Sequence, residues 1–225
     1  MPRIRDEKDL ECTWRLERHA YSRGFTLVAG CDEAGRGAMI GPLTAAAVIL
    51  NPAKPISSLN DSKKLSPKIR EDLARQIRSE AIAFKVAFVS AEEVDRLNVY
   101  QASRIAMIQA LQSLSPAPHF ILTDAMRLWS NLASPEVLAP FRWLIHGDAR
   151  SVSIAAASIL AKVERDDHMR ELDRLYPYYG LAQNKGYCTE RHLKSLRQYG
   201  PCPEHRKTFQ PVNSLQLPLS LERES

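Results

Sequence analysis

Phe25-Thr26-Leu27-Val28-Ala29-Gly30-Cys31-Asp32-Glu33-Ala34-Gly35-Arg36-Gly37 is a short apolar run that stops on two acids and opens into a glycine-rich turn. Phe25 to Cys31 carries no charge and has the length of a buried strand, with Asp32 at its C-terminal end. Leu43 to Leu50 is a second apolar run, and the Asn51-Pro52 and Lys54-Pro55 pairs end it. Neighbouring side chains of an ideal strand point to opposite faces. Asp32 and Glu33 can therefore share one site only if the chain bends there, and Gly35 permits such a bend.

Outward from this stretch the chain alternates strand and helix signals. Ser66-Pro67 reads as an N-cap followed by proline at the first helical position, and Ile69, Leu73 and Ile77 continue it as an apolar stripe. Ile82, Phe84, Val86 and Phe88 alternate as a third strand, and Ser90-Ala91-Glu92-Glu93 has the spacing of a capping box. Helices then run, with a break, to about Leu114. His119 to Thr123 is expected as a fourth strand and Phe141 to His146 as a fifth, with Asp124 and Asp148 just beyond their ends. Ser153 to Tyr176 reads as a long helix that Pro177 stops, and Thr189 to Tyr199 as another, capped by Thr189 and ended by Gly200. On the N-terminal side, residues 6–23 read as an amphipathic helix through Leu10, Trp14 and the Ala20/Tyr21 pair.

This pattern predicts an α/β fold with helices packed on the sheet. It divides the chain into an N-terminal helix (1–24), an α/β core (25–176), a basic helical lobe (177–212) and a flexible tail (213–225). A chain of 225 residues, 44% of them hydrophobic, can bury one good core. The charged start leads into no apolar segment, and the longest uncharged stretch, Gly37 to Ala53, is interrupted by Gly41, Pro42, Thr44 and Asn51. Neither reads as a secretory signal or a membrane span, so a soluble, cytoplasmic monomer is expected.

Cysteines 12, 31, 188 and 202 form no dense framework, which favours reduced thiols. Cys188 with His192 and Cys202 with His205 raise a zinc site as an alternative, weighed down by the absence of the usual C-x2-C spacing. The net charge of +5 is uneven: between residues 185 and 207, Lys185, Arg191, Lys194, Arg197, Arg206 and Lys207 stand against Glu190 and Glu204. Either a solvated helix face or a phosphate-tracking surface accounts for that excess.

Asp32, Asp124 and Asp148 each follow an apolar run, and Glu33 is next to the first. Ends of strands in an open α/β sheet hold side chains rigidly yet within reach of a ligand. Carboxylates gathered there repel one another and call for a compensating hard cation, Mg²⁺ or Mn²⁺ being the usual choice. Two such ions about 3.5–4 Å apart can activate a water on one side of a phosphodiester and stabilise the leaving oxygen on the other. Each aspartate taken singly is an ordinary strand-ending or capping residue; only the shared position argues for metal.

Cys31-Asp32-Glu33-Ala34-Gly35-Arg36-Gly37 with Gly41-Pro42, and Asn60-Asp61-Ser62-Lys63-Lys64-Leu65-Ser66, resemble the opening segments of the ribonuclease HII family. Leu122-Thr123-Asp124, His146-Gly147-Asp148-Ala149-Arg150, residues 153–166, Lys185-Gly186-Tyr187 with Thr189 and His192, and His205-Arg206-Lys207-Thr208-Phe209 follow in the same order. The resemblance spans residues 25–212. It implies a ribonuclease H-like fold with a mixed five-stranded sheet flanked by helices and a small C-terminal helical lobe. It implies that Asp32, Glu33, Asp124 and Asp148 bind two metal ions and catalyse hydrolysis of the RNA strand of an RNA–DNA hybrid. Cutting would also occur 5′ of single ribonucleotides in duplex DNA.

In the same family picture the Gly35-Arg36-Gly37 main chain meets the 2′-hydroxyl of the ribonucleotide, and Tyr187 packs on the sugar of the following deoxynucleotide. Both have physical sense, because glycine allows close approach of the main chain and the 2′-hydroxyl is what distinguishes RNA from DNA. Taken without the resemblance, Gly35-x-Gly37 reads as an ordinary turn and Tyr187 as a core aromatic. Lys63, Lys64, Lys185 and Arg206 look like phosphate contacts that position a duplex without reading its sequence, whereas Lys162 and Arg165 read as braces of the long helix, and Asp61, Asp166 and Asp167 as caps, salt-bridge partners or solvated positions. Ala125, Asn184 and Cys188 depart from the family pattern, which puts local loop shape in question.

Two rival readings follow from other features. Gly35, Gly37 and Gly41 after a strand suggest a dinucleotide-binding turn, but the spacing is G-x-G-x3-G and Pro42 leads into a strand, leaving no helix N-terminus for a pyrophosphate. A module that binds RNA–DNA without cutting would use the basic residues and Tyr187 but gives no reason for four acids at strand ends. The tail lies beyond the shared segments. Its Gln216-Leu217-Pro218-Leu219, with Leu221 in place of an aromatic, resembles the short peptides with which bacterial DNA-processing proteins bind the replication sliding clamp. The bland alternative is a leucine-rich tail lying back on the domain.

Overall fold

The computed structural model describes residues 11–128 and 139–216, with the backbone alone at Gln216. Five strands form one sheet: β1 (Val28–Ala34), β2 (Leu43–Ile49), β3 (Ala83–Val89), β4 (Phe120–Asp124) and β5 (Phe141–Leu144). Their order is β3-β2-β1-β4-β5. β2 lies antiparallel to both β1 and β3, while β1, β4 and β5 run parallel, so the sheet is mixed as expected.

Eight helices surround it among the described residues: α1 (Arg15–Tyr21), α2 (Pro67–Glu80), α3 (Ala91–Leu97), α4 (Val99–Gln112), α5 (Val152–Leu175), α6 (Leu181–Asn184), α7 (Glu190–Tyr199) and α8 (Val212–Gln216). The caps are those the sequence offers. Ser66 accepts from the Ile69 nitrogen ahead of a proline at the start of α2, Ser90 and Glu93 close a capping box on α3, and Thr189 caps α7.

Strand parity sorts the core into two layers. Ala29 and Cys31 of β1, with Leu43, Ala45 and Ala47 of β2, pack with Ala106, Met107 and Leu111 of α4. The intervening Ala46 and Val48 pack with Ala156, Leu160 and Val163 of α5 and with Leu73 and Ile77 of α2. Because both faces are covered, β2 is buried at every position, which explains why it reads as a continuous apolar run and not as an alternation.

The lobe at 177–212 packs on this core through Tyr179 and Leu181, which join Met169 and Leu172 of α5 and Ile40 of the loop before β2. On the other side of the molecule, α1 delivers the buried Glu17 to the start of α5. There its Oε1 accepts from the Ser151 hydroxyl at 2.5 Å and from the Ser153 main-chain nitrogen at 3.0 Å. Burial pushes the Glu17 carboxyl above its ordinary value, with these hydrogen bonds acting in the opposite direction.

Three boundaries differ from the sequence reading. β1 begins at Val28 and runs through Asp32 and Glu33 to Ala34, because pairing with Ala46, Ala45 and Thr44 of β2 carries the strand past the charges at which the apolar run stops. The first helix is described only over Arg15–Tyr21, with residues 1–10 outside the described range. Asn213 to Gln216, read as the start of a tail, continue a short helix from the buried Val212. No helix among the described residues is long and apolar enough to cross a membrane.

Candidate active site

Asp32 and Asp124 meet because β1 and β4 are parallel neighbours in the register Cys31↔Thr123, which leaves the next residue of each side by side. Asp32 shares the parity of Val28, and Asp124 that of Leu122; both those residues pack with Ile154 of α5. Asp148 arrives from a 3-10 turn, Gly147–Ala149, between β5 and α5. One carboxylate oxygen from each of the three lies within 4.8 Å of the others. Asp32 and Asp148 are buried, at 5% and 4% exposure.

A magnitude shows what this arrangement requires. Two unit charges at such a separation repel by about 3 to 4 kcal/mol at an effective dielectric constant of about 20. Three ionised pairs therefore rival the total stability of a typical domain, about 5–15 kcal/mol. The cluster must take up protons or a cation, and the carboxyls report that demand. Burial, then Glu33 and Asp124, push Asp32 well above the carboxylate range. Burial, with Asp124 and Asp61, raises Asp148 to about 6. Asp124 is raised by burial against the opposing pull of the Gly147 hydrogen bond and Lys63. Buried oxygen donors of this kind fit a hard divalent cation.

Glu33 is adjacent to this group without belonging to the close trio. It lies at the opposite parity to Asp32, its main-chain nitrogen donates to Asp32 Oδ1 at 2.7 Å, and its Oε1 pairs with Arg36 at 3.2 Å. Its Oε2 is buried with no hydrogen-bond partner. Burial outweighs the Arg36 guanidinium and raises the carboxyl to about 7. The expected bend begins only at Gly35, with φ +92°, after the strand has ended.

Asp32, Glu33 and Asp124 line a cleft of about 320 Å³ together with Gly35, Arg36, Gly37, Lys63 and Tyr187. Tyr187 is 39% exposed. A Cβ at Gly37 would sit 3.9 Å from its ring, so glycine loop and tyrosine face each other across the cleft. A Cβ at Gly35 would fall 2.0 Å from Arg165 Nε, which together with the positive φ admits only glycine at that position. Lys63 faces the acids. Burial works against its ammonium, but Asp148, Asp61, Asp32 and Asp124 prevail and raise its pKa. Lys64 is exposed on the same turn and Lys185 is half-buried, in the left-handed region at φ 53°.

Arg206 corrects the sequence reading. It is fully buried, its Nε donates to the Gly41 carbonyl at 3.1 Å and its Nη1 to the Arg36 carbonyl at 3.0 Å. It therefore supports the glycine loop from beneath and cannot reach a phosphate. Arg165, read as a brace of α5, instead bridges segments: it donates to the carbonyls of Pro42, Lys185 and Ile40, and its Cζ lies 5.7 Å from the Tyr187 ring centre.

Three further groups of the site, Ser158, Lys162 and Asp61, are given no part in it by the sequence pattern. Ser158 hydrogen-bonds Asp32 and lies 3.0 Å from the Ser62 hydroxyl. Lys162 lines the cleft while paired with Asp166. Of the roles open to it, Asp61 takes that of a cap, accepting from the Lys63 nitrogen at 2.9 Å, but its carboxyl also hydrogen-bonds Asp148. A helical serine on the face that meets strand ends was the available signal for Ser158. Cys188, weighed as a zinc ligand, is exposed, and the imidazoles of His192 and His205 face each other.

The chain is similar to known proteins over most of its length. The family model described as Ribonuclease HII matches residues 29–212. A Ribonuclease HII of Solibacter usitatus (strain Ellin6076) is 50% identical over 214 residues, 95% of this chain and 91% of the relative. Among solved structures, the ribonuclease H2 from Pyrococcus horikoshii OT3 superposes with a TM-score of 0.70 at 28% identity, over 84% of this chain and 97% of that one. The ribonuclease HII in the PCNA:RNase HII complex from Archaeoglobus fulgidus gives 0.69 at 27% identity, over 84% and 96%. With Asp32 and Asp124 on parallel strands, Asp148 on the turn after β5 and this match over residues 29–212, the chain belongs to the ribonuclease HII family, endonucleases that degrade the RNA of RNA–DNA hybrids.

Proposed function

We propose that this enzyme also incises duplex DNA on the 5′ side of a single embedded ribonucleotide, leaving 3′-hydroxyl and 5′-phosphate ends, as an opening step of ribonucleotide repair. The observation that carries the reading is the cleft itself, in which Asp32, Glu33 and Asp124 share one space with the Gly35–Gly37 loop and Tyr187, with Asp148 within 4.8 Å of Asp32 and Asp124. Asp32, Asp124 and Asp148, joined by Glu33, would hold Mg²⁺ or Mn²⁺; the unpartnered Glu33 Oε2 and the raised carboxyls fit such a group. Two divalent ions there supply activation of water and stabilisation of the leaving oxygen.

The chain's own residues place the scissile bond. Main-chain groups of Gly35, Arg36 and Gly37 meet the 2′-hydroxyl; a side chain at Gly35 would collide with Arg165 and displace that loop. Tyr187 packs against the next sugar, where a deoxyribose leaves room for its ring. Lys63, Lys64 and Lys185 hold the backbone phosphates.

The test is incubation with a DNA duplex holding one ribonucleotide, and with a uniform RNA–DNA hybrid, with Mg²⁺, with Mn²⁺ and with chelator. Metal-dependent cutting at the 5′ side of the ribonucleotide supports the reading, and a protein that cuts only the uniform hybrid overturns it. Tyr187→Ala should lower cutting at the junction more than cutting of the hybrid. A second reading concerns the tail. The Archaeoglobus relative forms a complex with PCNA, which supports a clamp-docking role for Gln216-Leu217-Pro218-Leu219 and Leu221. Gln216 ends the last described helix, and residues 217–221 lie outside the described range.

A further inference from the structure

His192 and His205 are fully buried in the lobe, with Nε2 atoms 3.3 Å apart. Main-chain groups at the two ends assign their protons. The Cys202 N–H can only donate, and it meets His205 Nδ1 at 3.0 Å, so that nitrogen carries a lone pair and the ring's proton is on Nε2. The Tyr187 carbonyl can only accept, and it meets His192 Nδ1 at 3.1 Å, so that nitrogen carries the proton and Nε2 is bare. His205 Nε2–H then donates to His192 Nε2. One arrangement satisfies all four positions, with both rings neutral and of opposite tautomer, and polarity running from the Cys202 nitrogen to the Tyr187 oxygen.

A second proton on either ring would set two donors against each other. Burial, then the neighbouring imidazole, lowers His205 to about 4, and burial lowers His192. The other groups facing the pair are the Tyr179 ring, edge-on to His205 at 4.8 Å, and the Cys202 Sγ, 3.2 Å from His205 Nδ1. Neither brings a carboxylate that would favour an imidazolium.

The backbone shows what the pair connects. Ile40 and His205 form a β-bridge, Gly41 N–H donates to the Glu204 carbonyl and Arg206 N–H to the Met39 carbonyl. The glycine loop is thus tied to the segment carrying His205, and His205 reaches the carbonyl of Tyr187 through His192. The Tyr187 carbonyl also accepts from Thr189 N–H at 2.9 Å, so the imidazole is one of two restraints on that peptide.

We infer that His192 and His205 are positioning residues: a neutral, direction-fixed relay that holds Tyr187 in register with the Gly35–Gly37 loop and so sets the preference for a ribonucleotide–deoxynucleotide junction over a uniform hybrid. This rests on the junction reading of Tyr187, and the test separates the two. In the full chain labelled with ¹⁵N-histidine, correlation spectra at pH 7 should show neutral His192 protonated at Nδ1 and neutral His205 protonated at Nε2. A charged ring, or the same tautomer in both, overturns the relay whatever the substrate. His192→Leu and His205→Leu should lower the ratio of junction to hybrid kcat/KM about tenfold, the order expected for a sub-ångström misplacement. His192→Asn keeps a donor near the Nδ1 position and should recover most of that ratio. A leucine variant that melts like wild type with an unchanged ratio, or with equal losses on both substrates, overturns the inference. Wild type that cuts no junction substrate defeats the junction reading, while the spectra still judge the relay.

Discussion

The main-chain nitrogen of Gly147 donates a 2.6 Å hydrogen bond to Oδ1 of Asp124. The Asp124 carboxylate is therefore anchored to the main chain one residue before Asp148, which fixes these two members of the acid trio relative to each other. A Cβ at Gly147 would lie 2.7 Å from Ile154 Cδ1 and 3.2 Å from Asp124 Oδ1. Gly147→Ala should weaken divalent-ion binding and activity by about 10- to 100-fold, the usual effect of disturbing a ligand's support. Calorimetric titration of Mn²⁺ checks it; wild-type affinity in the folded variant would refute the coupling.

Asp32→Asn and Asp124→Asn should each lower the cleavage rate by orders of magnitude while raising the melting temperature of the metal-free protein. Removing one charge relieves repulsion inside the buried trio yet spoils the ion's ligand set. Paired melting and rate measurements decide, and an active, folded double variant would sink the assignment of the acids.

Glu33 gives a pH dependence with a defined sign. Its carboxyl is raised from 4.5 to about 7 in the folded protein. A raised folded value means that its stabilising contribution is complete below the unfolded value and is lost as pH rises through about 7. Metal-free wild type should therefore melt close to Glu33→Gln at pH 5 and below it at pH 8. Mg²⁺ should narrow the gap at pH 8. A gap that shrinks between pH 5 and pH 8 in the absence of metal would contradict this.

Arg206 and Lys64 should separate in salt-dependent duplex binding. Arg206→Met leaves two carbonyls without their donor and should cost about 3 kcal/mol of stability by chemical unfolding, given about 1.5 or more for each hydrogen bond to a charged group. The slope of log affinity against log salt should not change. Lys64→Ala should reduce that slope by about 0.9 with little effect on stability. A changed slope for Arg206→Met would return it to the phosphate contacts.

Titrating a labelled peptide of residues 211–225 against the sliding clamp tests the tail. Saturable binding that disappears in a Gln216→Ala plus Leu219→Ala peptide is expected. Equal behaviour of the two peptides would remove clamp docking and leave the nuclease assignment intact.

The acids were legible in the sequence because a polar residue at the end of an apolar run is conspicuous, and the alternating strand and helix signals gave the layers that gather them. The end of β1 was not, because charge normally stops a buried strand and only pairing with β2 shows that Asp32 and Glu33 continue it. Arg206 was misplaced for a related reason. A basic residue in a basic segment defaults to solvent, and its partners, Gly41 and Arg36, are some 165 and 170 positions away in the chain. Lys162 and Ser158 were hidden by the helix period, which tells that a face is buried but not that it abuts a strand end. The histidines invited a zinc reading by type and spacing, while their proton order depends on main-chain groups that no local pattern displays.

The contact of Glu17 with Ser151 and Ser153 has a practical consequence for handling the protein. The helix that carries Glu17 begins at Arg15, so an affinity tag, a fusion partner or a trimmed N-terminus that distorts it would loosen the start of α5, four residues from Asp148. Preparations differing only in what precedes residue 15 should then differ in specific activity, and comparing variants fairly requires that all of them carry the same leader.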